Sequence, residues 1–108
     1  MMPPHITKTS PPDGGELRGN TIEMEGFTLS ICDIDDELEV VDEDANAPVN
    51  YNSQLKCVWQ GPEDGPMGSQ QEHCELTITL DTVVAGHVYR LSILGTTIRV
   101  TVPATRTL

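Results

Sequence analysis

At 108 residues the chain has room for one domain with a single core between two sheets, but not for two lobes enclosing a cleft. Seventeen acidic side chains against six basic ones leave a formal net charge of -11, which repels phosphate backbones and anionic lipid head groups and argues against direct binding of nucleic acid or membrane. Hydrophobic residues make up 37% and aromatic residues 4%, so the core must come from Val, Ile and Leu, which pack well on pleated sheets.

Residues 1–20 are rich in Pro, Gly, Ser and Thr and have no apolar periodicity. They read as an extended arm, held by a neighbour in an assembly, with Pro3, Pro4, Pro11 and Pro12 as candidate contacts. Residues 21–108 read as the folded domain. Thr21 to Ile31 alternates as a strand does, with Ile22 and Met24 on one face; the inward set then shifts to Phe27, Leu29 and Ile31, which predicts a bulge at Gly26. Leu38 and Val40 mark a short strand inside an acidic run. Leu55, Cys57 and Trp59 alternate with Lys56, Val58 and Gln60 in a third strand.

A long loop is expected over 62–71, and three patterned strands follow it. In the first, Cys74, Leu76, Ile78 and Leu80 face inward; in the next two, Tyr89, Leu91 and Ile93, then Ile98, Val100 and Val102, do the same. Leu94-Gly95 between the last two is a hairpin signal. No window repeats the helical spacing, so the expected fold is an all-β sandwich of six to seven antiparallel strands.

Two stretches carry a family resemblance. Ser53-Gln54-Leu55-Lys56-Cys57-Val58-Trp59-Gln60-Gly61-Pro62 is similar to the B strand of fibronectin type III domains, and Val83-Val84-Ala85-Gly86-His87-Val88-Tyr89 is similar to their tyrosine corner. The resemblance implies an immunoglobulin-like or fibronectin III-like sandwich with Trp59 filling the space between sheets and the Tyr89 hydroxyl returning to backbone. Asp42-Glu43-Asp44-Ala45-Asn46-Ala47-Pro48-Val49 is similar to the calcium-binding linker of cadherins, although Ala45 stands where that motif has Asp.

The densest feature is Asp33, Asp35, Asp36, Glu37, Glu39, Asp42, Glu43 and Asp44, eight carboxylates in twelve residues. Clustered oxygens suit hard cations, but no EF-hand spacing is present, and the plainer reading is a solvated ridge that faces a partner. Arg90 and Arg99 fall on outward positions of the last hairpin, where they could meet that ridge on a second copy. Cys32, Cys57, Cys74 and His73 have the element types for zinc without paired-ligand spacing; core thiols are the plainer reading and one disulfide the alternative.

His5, His73 and His87 stand in no nucleophile or metalloprotease motif, and no Gly-rich loop opens a helix, so neither catalysis nor a cofactor or metal is expected. The N-terminus Met1-Met2-Pro3-Pro4-His5 lacks the basic start and apolar run of a secretory signal. The expectation is a structural protein of a virion or host cytoplasm, most simply a bacteriophage accessory bound to a capsid or tail subunit or to its own copies. Alternatives are an acidic inhibitor mimicking nucleic acid to bind a basic host protein, and an adhesion or carbohydrate-binding sandwich.

Overall fold

A computed structural model of the protein describes residues 3–60 and 71–104. The strands are β1 (His5–Ser10), β2 (Thr21–Phe27), β3 (Glu39–Asp42), β4 (Ala47–Pro48), β5 (Tyr51–Gln60), β6 (Gln71–Leu80), β7 (Val88–Ile93) and β8 (Thr96–Thr101). Between β2 and β3 come a 3-10 turn (Leu29–Ile31) and a one-turn helix α1 (Ile34–Glu37), which Asp33 caps by accepting from the Asp35 N–H at 3.2 Å. The loop expected over 62–71 lies, except for its last residue, outside the described residues.

The strands form two four-stranded antiparallel sheets, ordered β1-β2-β6-β5 and β4-β3-β7-β8, packed as a sandwich. The inner face of the first carries Ile22, Met24, Cys74, Leu76, Ile78 and Leu80; the second answers with Val40, Tyr89, Leu91, Ile93, Ile98 and Val100, all buried. The β7–β8 turn is Leu94-Gly95 with φ of 48° and 80°, the paired positive values of a two-residue hairpin loop whose twist matches its strands.

Eight strands replace the expected six or seven because two are poorly marked in sequence. One is β4, only two residues long. The other lies in the segment expected to lace along a neighbour: β1 pairs with β2 of the same chain, and residues 13–17 then cross to the other sheet. There the Gly14 N–H donates to Arg99 O (2.8 Å), the Leu17 N–H to Thr101 O (2.9 Å) and the Thr101 N–H to Gly15 O (3.0 Å), while Leu17 enters the core. Pro11 and Pro12 form the bend between these two attachments.

The bulge is placed differently from expectation. β2 keeps its alternation through Gly26, whose partner is Cys74, and the irregularity falls in β1 between Ile6 and Lys8. A Cβ on Gly26 would run into the His5 carbonyl oxygen, so the glycine permits close approach of β1. Phe27 therefore faces outward, in a row with His5 and His73 at ring distances of 5.5 Å each; Leu29 is buried, while Ile31 is 59% exposed.

Trp59 corrects the expectation most sharply, because it is 68% exposed. Its parity is inward, as the register Cys57↔Cys74 and Trp59↔Glu72 requires, but β5 and β6 run for ten residues where β7 and β8 run for six. Trp59 lies near the end of β5, the edge strand of its sheet, beyond the buried Cys74. The core position is filled instead by Tyr89, 1% exposed, whose hydroxyl accepts the Val84 N–H at 2.8 Å. Tyr89→Phe leaves that N–H without its acceptor; a loss of about 1 kcal/mol is expected from urea denaturation, with the strand content unchanged by circular dichroism.

Candidate functional site

The structure divides the acidic run into three groups with different roles. The first is the β3–β4 turn, where Asp42 is 6% exposed. Its Oδ1 accepts the N–H groups of Asp44 (3.0 Å) and Ala45 (3.1 Å), and its Oδ2 accepts from His87 Nδ1 at 2.7 Å. Asp44 Oδ2 takes the Val88 N–H at 2.7 Å. The cadherin-like stretch is thus a tight hairpin turn, closed by Asn46 at φ 51°. Ligand-type atoms of Asp42, Asp44 and His87 lie within 4.8 Å of one another, yet these oxygens are already engaged by backbone N–H groups and by the imidazole.

Burial acts to raise the Asp42 pKa, but the His87 hydrogen bond, the Ala45 N–H, the charge of His87 and the Asp44 N–H together outweigh it, and the carboxyl lies below its usual value. Burial, offset in part by the Val84 hydrogen bond, raises the nearby Tyr89 phenol, with the charges of Asp42 and Asp44 adding to the rise.

The second group lies on the outer face of the β3–β7–β8 sheet. Arg90 and Arg99 are directly opposite one another, a repulsive placement that neighbouring carboxylates offset. Arg90 reaches Glu39 at 3.4 Å and Glu43 at 3.7 Å, and Arg99 Nε reaches Glu43 at 2.7 Å. The arginines expected to meet the ridge of a second copy are therefore paired within their own chain.

The third group is α1 with its cap. Asp35 accepts from Ser53 Oγ at 3.1 Å, and burial followed by the charges around it raises the Tyr51 phenol. Asp33, Asp36 and Glu37 are exposed, and no Lys, Arg or His among the described residues forms an ion pair with them. Ile31 stands exposed just before them in the chain.

The zinc-type set is not assembled. Cys57 and Cys74, expected as core thiols, are joined as a cross-strand disulfide, with Cα atoms 4.0 Å apart. His73 points to the opposite face, beside Glu25 at 3.3 Å, and Cys32 remains a free thiol with its pKa raised by burial and then by Glu37. The features that sequence reading missed are the Asp42–His87 contact and the exposure of Ile31, Leu55 and Trp59, whereas Val58 is exposed as its alternation requires. Comparison of the chain with protein-family models, curated proteins and solved structures finds no match in any of the three.

The Asp42 shift has a definite sign. A carboxyl with a native pKa below its unfolded value of about 3.9 contributes stability that is complete above that value and is lost as pH falls through the native one. Asp42→Asn should lower stability at pH 7 by about 1–3 kcal/mol and flatten the acid limb of the stability profile below about pH 4, measured by urea denaturation across pH. An acid limb unchanged by the substitution would remove Asp42 as its source.

Proposed function

We propose that the chain is a non-catalytic structural protein of the immunoglobulin-like class, an accessory subunit of a larger particle such as a bacteriophage virion. Strand order supports the class: lettered A, B, C, C′, D, E, F and G along the chain, the sheets read A-B-E-D and C′-C-F-G. Tyr89 at the start of F, bonded back to Val84, has the geometry of a tyrosine corner. Trp59 then belongs to D and not to B, which accounts for the short interval between Trp59 and Tyr89: only strand E intervenes.

The observation that carries the role is the exposure of Ile31 together with the carboxylates that follow it in the chain, Asp33, Asp36 and Glu37. An apolar contact edged by negative charge fits a protein surface with an apolar spot and a basic rim. Immunoglobulin-like sandwiches are common accessory parts of phage heads and tails, and the virion assignment is an analogy at that level. The other reading, a mimic of nucleic acid, requires a continuous anionic ridge. Glu39, Asp42, Glu43 and Asp44 are engaged within the chain, which halves the available ridge.

Density-gradient sedimentation of a native lysate tests the role. The chain should travel with particles, and Ile31→Ser combined with Asp36→Lys and Glu37→Lys should move it to the soluble fractions without changing its fold. A wild-type chain found only in the soluble fractions would contradict the proposal.

A further inference from the structure

A sandwich of two four-stranded sheets has four edges, each a row of unpaired backbone groups that invites a further strand. Three of them are blocked. β1 is six residues long, irregular between Ile6 and Lys8, and followed by Pro11-Pro12. β4 is two residues, one of them Pro48. β8 is covered by residues 13–17, which bond to Arg99 and Thr101. β5 alone among the described residues has no such device: it has ten residues in unbroken register with β6, without Pro or Gly, and with Lys56 as its single charge.

The register shows which groups are free. The 4.0 Å Cα separation of Cys57 and Cys74 is that of a non-hydrogen-bonded antiparallel pair. Pairs alternate, so Tyr51, Ser53, Leu55, Cys57 and Trp59 turn their N–H and C=O groups away from β6. The far side of β6 agrees: Glu72 O, opposite Trp59, accepts from Thr28, and the Leu80 N–H, opposite Tyr51, donates to Asn20. The same five residues carry the inward-facing side chains, of which Leu55 is 37% and Trp59 68% exposed.

We infer that the occupant of this edge is a second copy of the chain, paired antiparallel through β5 with Leu55 opposite Leu55 on the two-fold axis. In that register Ser53 meets Cys57 and Tyr51 meets Trp59 on both sides of the axis. All five free residues are used, and five pairs exchanging two bonds each make ten backbone hydrogen bonds, about the number in a specific interface. Each exposed Trp59 gains an aromatic cross-strand neighbour, Leu55 packs on Leu55, and Lys56 sits opposite Gln54, so no like charges face each other.

β5 itself contains no carboxylate in a chain that has seventeen, and Asp35, the anion of α1 that reaches it, is held by Ser53 Oγ at 3.1 Å. Covering the edge with its Leu55 and Trp59 side chains on both copies removes on the order of 1,000 Å² from water, the lower bound of a specific interface. The net charge of -11 on each copy still opposes association at long range, so the dimer strengthens as salt screens that repulsion. A strand from a basic partner would show the reverse dependence.

Sedimentation equilibrium of the intact chain at low and high salt tests the inference. A monomer–dimer equilibrium that shifts toward dimer as salt rises is expected. Leu55→Lys and Leu55→Glu each place like charges together on the axis and should weaken the dimer about tenfold or more, with unchanged circular dichroism. Mixing the two variants should restore a dimer containing one of each. A chain that stays monomeric at all concentrations, or a dimer indifferent to both variants, overturns the inference. A chain monomeric in solution that still travels with particles would overturn the dimer alone and leave the proposed role standing.

Discussion

The structure depends on one apolar layer shared by two sheets of unequal length. Ile22, Met24, Leu76, Ile78 and Leu80 from one side meet Tyr89, Leu91, Ile93, Ile98 and Val100 from the other, and none is more than 3% exposed. Each side chain of this size contributes about 1.5–3 kcal/mol when fully buried, which makes this layer the principal force opposing chain entropy. On the edge strand β5, Leu55 and Trp59 keep the alternation of a core strand but stay exposed.

Polar groups adjoin the layer at one corner, and there they satisfy one another. Tyr89 brings a hydroxyl into the core and accepts the Val84 N–H; Asp42, nearly buried, holds two turn N–H groups and the His87 ring. A buried carboxylate without partners would be costly, so this cluster serves the fold before it serves any ligand. The same logic separates the acidic residues. Those on β3 and its turn pair with arginine or backbone, Asp35 on α1 pairs with Ser53, and Asp36 and Glu37 on α1 remain directed at solvent.

Period-two alternation made most of the core legible in the sequence, since every inward residue assigned to β6, β7 and β8 is buried. Leu94-Gly95 announced its hairpin because two positive φ values suit so few dipeptides. Alternation reports which face a residue occupies and not whether its strand is an edge or where along it the core stops, and for that reason Trp59 reads as a core residue although its parity is right. Pairing within the arm was hidden because prolines on either side of His5–Ser10 interrupt its pattern, and the bulge was assigned to Gly26 although the extra residue lies in the partner strand. The acidic run read as one ridge because sequence density does not reveal that Arg90 and Arg99 share a face with Glu39 and Glu43.

Strand order and the corner tyrosine bear on the proposed fold class alone, and the proposed role would rest on the surfaces the apolar layer leaves uncovered. The central claim is that Tyr89, and not Trp59, occupies the space between the sheets. Trp59 is the single tryptophan of the chain, so its fluorescence reports on this point alone. In dilute solution its emission should match that of tryptophan in water and be quenched by acrylamide nearly as efficiently as the free amino acid. A blue-shifted emission protected from acrylamide would place Trp59 inside the sandwich and contradict the account.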